Sequence, residues 1–151
     1  MLISKEFAVY LNLAGCRLKQ YTAMVLRQNN VNLTPEQFLL LDLLWNLGPM
    51  SQQKLADTMR KDKNSITKLV DGLERKGLVE RRKDSADRRS NMVYPTSKAD
   101  AIKHDTKEKG ISMLDGILKG IPEEELRSFL QTLEKITRNM ENGQSSSTEQ
   151  T

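Results

Sequence analysis

Residues 80–93 read ERRKDSADRRSNMV, a turn of charged and small residues between two short apolar runs. The run before the turn is Leu-Val at 78–79, and the run after it is Met-Val-Tyr at 92–94. Apolar runs on either side of a polar turn are typical of a β-hairpin, and Pro95 ends the second strand because proline cannot donate to a strand ladder. The fold must therefore include a short, strongly charged β-hairpin.

The residues before the hairpin predict two short helices joined by a tight turn. Ser51 is an N-cap for a helix that runs to Met59, and Asp62 is an N-cap for a second helix at about 63–76, which Gly77 ends. The second helix has apolar residues at i, i+3, i+4 and i+7, namely Ile66, Leu69, Val70 and Leu73. Its other face is polar and carries Lys63, Asn64, Thr67, Lys68 and Asp71. This order predicts a helix-turn-helix whose second helix is the recognition helix and whose following hairpin is a wing.

A strongly apolar helix is predicted ahead of this unit. Thr34 is its N-cap, proline occupies its first position, and Gln37 completes a capping box. The segment FLLLDLLWNL follows, and Gly48-Pro49 ends the helix. Because this run is too apolar for a surface helix, it is expected to form the core helix.

Further helices flank the unit on both sides. Residues 5–28 carry an apolar seam spaced 4, 3, 4, 3, 4, made of Phe7, Leu11, Ala14, Leu18, Tyr21 and Val25. One helix is predicted from residue 96 to about residue 119, and another begins after Pro122. The apolar stripe of that last helix consists of Leu126, Phe129, Leu130, Leu133, Ile136 and Met140.

These segments predict a mainly α fold with a small antiparallel β-hairpin, a winged helix-turn-helix with N- and C-terminal dimerisation helices. We expect a single domain over residues 1–142, with the N-terminal dimerisation helix at 5–28, the winged helix-turn-helix at 34–95 and the C-terminal dimerisation helices at 96–142. Residues 143–151 contain no apolar side chain and are expected to be disordered. The seam and the stripe are more apolar than one small winged domain needs. Dimer packing explains them, and packing within a single chain is the alternative.

Positive charge is concentrated in the middle of the chain. Residues 51–91 hold 12 Lys and Arg against 7 Asp and Glu, a balance of +5, whereas the other residues hold 12 against 13. A local basic surface attracts polyanions such as the DNA backbone. On charge alone, a solvated surface of salt bridges is the alternative.

The polar face of the recognition helix and the hairpin are therefore the expected contacts to double-stranded DNA. Asparagine pairs with adenine in the major groove, hydroxyls suit phosphates, and an arginine at a wing tip is favoured in a narrow minor groove. The expected contact residues are Ser51, Lys61, Lys63, Asn64, Ser65, Thr67, Lys68, Arg81, Arg82, Lys83, Arg88 and Arg89. Asp87 is expected to support the wing, because its carboxylate can hold the side chain of Arg89 extended.

The recognition helix and wing also resemble the MarR (multiple antibiotic resistance regulator) family of winged-helix transcription factors. The family motif T-x-x-L-V-D-x-L-E-x-x-G-L-V-x-R is similar to TKLVDGLERKGLVER at residues 67–81, and its D-x-R wing motif to Asp-Arg-Arg at 87–89. The family's L-T-P-K-G-like helix start has only a degraded counterpart in PTSKA at residues 95–99. The resemblance is strong over residues 50–95, and helix order extends it across roughly residues 5–142.

The resemblance implies a sequence-specific, DNA-binding transcriptional regulator that uses recognition helix 63–76 and wing 80–93. Such proteins are homodimers with intertwined N- and C-terminal helices. They bind palindromic operators, usually as repressors, and are often released by small aromatic or oxidising ligands. Tyr21, Phe38 and Trp45 are candidates for binding a small aromatic effector, and core packing explains them equally well.

Nothing in the sequence indicates an enzyme, a cofactor or a metal site. It lacks a glycine-rich phosphate loop and a nucleophile–histidine pair, and His104 is the only histidine. Cys16 lies only 18 residues before Thr34, unlike the redox-sensing cysteine of some family members, and is expected to be an inert apolar residue.

No run approaches the roughly 20 apolar residues of a membrane span, so no membrane partner is expected. The expected location is the prokaryotic cytoplasm, in association with the nucleoid. The rival function is a winged-helix protein-interaction module without DNA binding, for which a neutral or apolar wing is expected.

Overall fold

A computed structural model describes the backbone of residues 2–148 and the side chains of residues 3–143. In chain order its elements are α1 (Leu2–Gln28), α2 (Pro35–Leu47), β1 (Met50–Ser51), α3 (Gln52–Met59), α4 (Lys63–Arg75), β2 (Val79–Lys83), β3 (Asn91–Pro95), α5 (Ser97–Leu118) and α6 (Glu123–Thr148). They form two compact units, one ending at Met113 and the other beginning at Leu114. The mainly α winged-helix fold predicted from the sequence is confirmed.

Helix α2 lies at the centre of the first unit's core. Leu40 and Leu41 have no exposed surface, and Leu44 has 1%. They pack in one cluster with apolar residues of α3, α4 and the sheet, including Leu55 and Ile66. Full burial of one such side chain contributes roughly 1.5–3 kcal/mol, so α2 supplies much of the stability on which the other elements depend.

The helix caps predicted from the sequence are present. Thr34 and Gln37 form the capping box of α2, because each backbone N–H donates to the other side chain at 3.1 Å. Ser51 caps α3 by accepting from the Lys54 N–H at 3.1 Å. Gly77 adopts φ +71° after α4, a conformation that favours glycine and ends the helix.

The sheet contains one strand more than the predicted hairpin. Its order is β1-β3-β2, with both pairs antiparallel. Met50 of β1 pairs with Val93, which also pairs with Arg81 of β2. Because β1 has only two residues, it shows no alternation of apolar and polar side chains from which a strand could be predicted.

The end of α6 differs from the expected disordered tail. The prediction placed disorder from residue 143, but α6 continues through Thr148; residues 149–151 lie outside the described residues. A glycine inside a helix costs only about 0.5–1 kcal/mol relative to alanine, and each residue added to an existing helix gains a hydrogen bond. Gly143 therefore does not stop α6, although the segment has no apolar side chains.

Each unit exposes an apolar face. On α1 the exposed apolar residues are Ile3, Phe7, Val9, Tyr10, Leu13 and Leu18. In the second unit they are Leu114, Ile117, Leu118, Ile121, Phe129, Leu130 and Met140. None of the helices within residues 2–148 is long and apolar enough to cross a bilayer.

Candidate nucleic-acid interface

Helix α4 is held rigidly by its buried face. Ile66, Val70 and Leu73 have no exposed surface and belong to the core cluster. Lys63, Asn64 and Lys68 are exposed on the other side. The predicted division of this helix into an apolar and a polar face is therefore present in the structure.

The beginning of α4 is fixed by Asp62. Its carboxylate accepts the Ser65 N–H at 2.7 Å and the Ser65 hydroxyl at 3.1 Å. Hydrogen bonds from the Ser65 backbone and side chain hold the pKa of Asp62 below its ordinary value. Ser65 was predicted to contact DNA, but in this structure its hydroxyl donates to its own helix cap.

Thr67, another predicted contact, is also engaged within the protein. Its hydroxyl donates to the Lys63 carbonyl at 2.9 Å and accepts from Gln52 Nε2 at 3.3 Å. Ser51 uses its hydroxyl oxygen to cap α3, which leaves the hydroxyl hydrogen for an acceptor such as a phosphate. The strongest candidates on α4 are therefore Lys63, Asn64 and Lys68.

Lys61 differs from its predicted role as a DNA contact. Its ammonium group lies 2.9 Å from Glu36 Oε1, and the side chain is only 28% exposed. Glu36 also accepts from Lys19 of α1 at 2.9 Å. Hydrogen bonds from Lys19 and Lys61 hold the pKa of Glu36 below its ordinary value. Lys61 therefore joins the turn before α4 to α2 by an ion pair, and it shares the Glu36 carboxylate with Lys19.

The wing consists of β2, β3 and a compact tip at residues 84–90. The Asp84 N–H donates to the Ser90 carbonyl at 3.0 Å, and the Ser90 N–H donates to the Asp87 carbonyl at 2.9 Å. The two aspartates also accept backbone N–H groups two residues ahead, Ala86 onto Asp84 and Arg89 onto Asp87, both at 3.0 Å. These are Asx turns, in which a short side chain stabilises the local backbone.

Asp87 thus supports the wing in a different way from the one predicted. It accepts the backbone N–H of Arg89, whereas its Oδ1 lies 3.7 Å from Arg89 Nε, too far for a hydrogen bond. The Arg89 side chain is 96% exposed, and Arg88 and Lys83 are exposed as well. The tip therefore presents basic side chains on a backbone that the two aspartates shape.

Arg82 lies outside the tip, on the strand leading to it. Its guanidinium lies over the ring of Tyr94, 4.2 Å from the centroid, and pairs with Glu80. Its side chain remains 58% exposed, so a phosphate can still reach it.

Arg81, another predicted DNA contact, forms hydrogen bonds within the protein. Its guanidinium donates to Gln52 Oε1 at 2.7 Å, to Asp71 Oδ1 at 2.6 Å and to the Thr67 carbonyl at 3.3 Å. It also lies 3.4 Å from Glu74 Oε2, and the side chain is 20% exposed. Arg81 is therefore directed toward α3 and α4 in this structure, and its contact with DNA stays a prediction.

Comparison with known proteins identifies the protein family in which this helix-turn-helix and wing are found. The model of the MarR family matches residues 33–90, the segment from the start of α2 to the wing tip. The chain is also 30% identical over 112 residues to the HTH-type transcriptional regulator YsmB of Bacillus subtilis (strain 168), over 74% of this chain and 77% of that protein.

The chain belongs to the MarR family. It is accordingly a helix-turn-helix transcriptional regulator and not an enzyme, and the resemblance found in the sequence is confirmed.

Solved MarR-family structures have the same fold. A transcriptional regulator from Rhodococcus sp. RHA1 is 25% identical with a TM-score of 0.77, over 88% of this chain and 93% of that one. A mutant MarR from E. coli complexed with operator DNA has a TM-score of 0.79 over 87% of this chain and 93% of that one. Since that MarR is only 20% identical, its likeness shows the fold alone.

The three aromatic residues predicted to bind an effector lie in different surroundings. Trp45 is 8% exposed and belongs to the core, where, among the described side chains, its Nε1 is buried without a hydrogen-bond partner. Phe38 packs against the same core and lines a small cavity beside Gly110. Tyr21 is half-buried on α1. The structure therefore favours core packing for Trp45 and Phe38.

A larger cavity of about 240 Å³ lies beside the end of α4. Its lining includes Val31, Leu33, Leu78, Ile102, Lys76, Lys98, Lys109 and Asp105. Lys76 donates to the Asn32 carbonyl at 2.9 Å and to Gln37 Oε1 at 2.7 Å, and burial lowers its pKa. This cavity could not be predicted from the sequence, because its walls come from three segments that are distant along the chain.

Proposed function

We propose that this regulator is a homodimeric repressor that binds a palindromic operator, with α4 in the major groove and the wing tip in the adjoining minor groove. One observation carries the proposal: exposed basic side chains are present both on the polar face of α4 and at the wing tip. Lys63 and Lys68 represent the helix, and Arg88 and Arg89 represent the tip. Phosphate contacts from such side chains supply affinity, and Asn64 supplies a group suited to reading adenine.

The exposed apolar faces support the homodimer. Phe7 on α1 is 42% exposed, and Phe129 on α6 is 57% exposed. Large exposed apolar surface on a helix marks an interaction site in soluble proteins. Two copies related by a two-fold axis would present their α4 helices to half-sites roughly 34–36 Å apart, which is the reason for proposing a palindromic operator.

The test is binding of the purified protein to duplex DNA from its own upstream region and to unrelated duplex. Lys63→Ala and Asn64→Ala should weaken binding to the upstream site more than binding to unrelated DNA, because they remove groups from the reading face. Equal losses on both duplexes would show that the reading face lies elsewhere. No binding to either duplex would favour a protein-interaction module.

Release by a small effector is proposed for the cavity beside α4. Its apolar walls and its lysines suit a small organic anion, and Lys76 both lines it and ends α4. An anion that attracts the Lys76 ammonium would compete with the Asn32 and Gln37 oxygens that now hold it, and would so disturb the end of the recognition helix.

Benzoate is a suitable probe for that cavity. It should lower the operator affinity of the wild-type protein and have a weaker effect on Lys76→Gln, whereas acetamide, which carries no charge, should do nothing. An equal benzoate effect on both proteins would place the effector site outside this cavity.

A further inference from the structure

Arg81 connects three elements through a single side chain. It extends from β2, and its hydrogen-bond acceptors belong to Gln52 of α3 and to Thr67 and Asp71 of α4. Gln52 in turn donates to the Thr67 hydroxyl at 3.3 Å, so the residues around the guanidinium are also connected to each other. Charge-assisted hydrogen bonds of 2.6 and 2.7 Å are short and strong.

The position of Arg81 in the sheet means that this connection joins the wing strands to the recognition helix. It pairs with Val93, which is fully buried at the centre of the sheet and also pairs with Met50. Side chains alternate between the two faces of a strand, and the next residue, Arg82, instead packs over Tyr94. Of these two neighbouring arginines, Arg81 is the one that ties the strand to the recognition helix.

We infer that Arg81 is a positioning residue, which fixes the orientation of the wing relative to α4 so that both reach adjoining grooves of one duplex. The inference rests on the proposed operator binding. Removing the guanidinium leaves the carboxylates of Asp71 and Glu74 near one another without the cation between them. The wing then loses these side-chain hydrogen bonds to α3 and α4, while the backbone pairing of the sheet remains.

The inference predicts coupling between Arg81 and Arg89, although Arg89 is almost fully exposed at the tip. Arg81→Gln should lower operator affinity by about 2- to 100-fold and should lower the slope of log affinity against log salt at least as much as Arg89→Ala does, because a displaced wing tip loses its phosphate contacts. Arg89→Ala alone should lower that slope by about one unit. In the Arg81→Gln protein, Arg89→Ala should have little further effect, because the wing no longer holds the tip in the groove.

Two controls separate positioning from general damage. Lys63→Ala should keep its full effect in the Arg81→Gln protein, since Lys63 lies on α4 itself. Arg138→Gln removes an Arg–Glu pair from α6 and should show no coupling with Arg89→Ala. Asp71→Asn keeps Arg81 but weakens its 2.6 Å contact, and it should reproduce the Arg81→Gln result to a smaller degree. It replaces Arg81→Gln as the test if Arg81→Gln folds poorly.

A distance measurement tests the inference without DNA. Nitroxides at Ser85→Cys and Arg75→Cys, in a Cys16→Ser background diluted with unlabelled chain, report the separation of the wing tip from the end of α4. Arg81→Gln should broaden that distribution. A broadened distribution in a protein that does not bind its upstream DNA would support the role of Arg81 and overturn only the proposed function.

Three results would overturn the inference. One is an unchanged distance distribution in Arg81→Gln. Another is a salt slope that stays at the wild-type value in Arg81→Gln, which would mean that the wing tip keeps its phosphate contacts without Arg81. The last is an Arg89→Ala effect that is equally large in the Arg81→Gln and wild-type backgrounds.

Discussion

The base and the tip of the wing are both rich in arginine, yet they use it differently. At the base, the Arg81 side chain is 20% exposed and surrounded by acceptors from α3 and α4. At the tip, the Arg89 side chain is 96% exposed and contacts Asp87 only at 3.7 Å. The same residue type therefore serves as an internal connection in one place and as an available cation in the other.

The same contrast is found around the recognition helix. Lys61, just before α4, is paired with Glu36 and only 28% exposed, whereas Lys63, two residues later, is exposed. Counting basic residues in the middle of the chain thus overstates the charge that is available to a polyanion. The cations that remain available are those whose side chains stay exposed, such as Lys63 and Arg89.

The largest expected effect is a loss of stability when the buried face of α4 is altered. Leu73 is fully buried on the inner face of α4, so Leu73→Ala should lower the free energy of unfolding by about 2–5 kcal/mol. Lys68→Ala, on the exposed face of the same helix, should change it by less than about 0.5 kcal/mol. Urea denaturation of both variants measures the difference. Similar values would mean that α4 is not anchored as described.

Stability should also distinguish the two arginines. Arg81→Ala should lower the free energy of unfolding by roughly 1–3 kcal/mol, because it leaves partly buried acceptors without their donor. Arg89→Ala should lie within about 0.5 kcal/mol of wild type. Thermal and urea unfolding can be compared for the pair. A tip variant as unstable as the base variant would remove the contrast between the two regions.

Salt dependence tests the tip. Arg88→Ala and Arg89→Ala should each weaken operator binding and reduce the slope against log salt by about one unit, because each removes a cation that displaces counterions from DNA. Fluorescence anisotropy at several salt concentrations gives the slopes. If both slopes equal that of the wild type, the wing tip takes no part in binding.

The smallest effect concerns Glu36. Its folded-state pKa is lowered by Lys19 and Lys61, so its contribution to stability is present above the ordinary value for glutamate, about 4.5, and is lost as the pH falls through the lower, folded-state value. The pairs are partly exposed, and solvent limits the contribution to no more than about 1 kcal/mol. Glu36→Gln should therefore flatten the stability curve below about pH 4.5, while Asp42→Asn serves as the control on the same helix. An unchanged curve in Glu36→Gln would show that these pairs do not stabilise the fold.

The sequence predicted most of this fold because the signals involved are local. The capping box at Thr34 and Gln37, the Asp62 cap and the Gly77 stop each depend on residues a few positions apart. The winged helix-turn-helix followed from their order. The pairing of β1 with β3 was missed because it joins residues more than 40 positions apart.

The site was harder to predict, since exposure depends on tertiary contacts. Arg81 and Arg89 look alike in the sequence, and only the fold shows that Asp71 and Gln52 lie beside the first. The sequence places Asp71 on the polar face of the recognition helix, but its partner Arg81 is ten positions away, across a turn. In the sequence, Asp84 is recognisable only as part of a charged turn. The structure shows that its side chain accepts the Ala86 N–H and stabilises the backbone of the wing tip.

The Asx turns at residues 84–90 have a consequence for how operator preference can change over time. Because Asp84 and Asp87 hold the loop through main-chain groups, its outline does not depend on which side chains occupy positions 88 and 89. If the wing tip binds DNA as proposed, substitutions there can alter its preference for DNA while the hairpin keeps its form. Paralogues that keep the two aspartates can then differ in their target sequences.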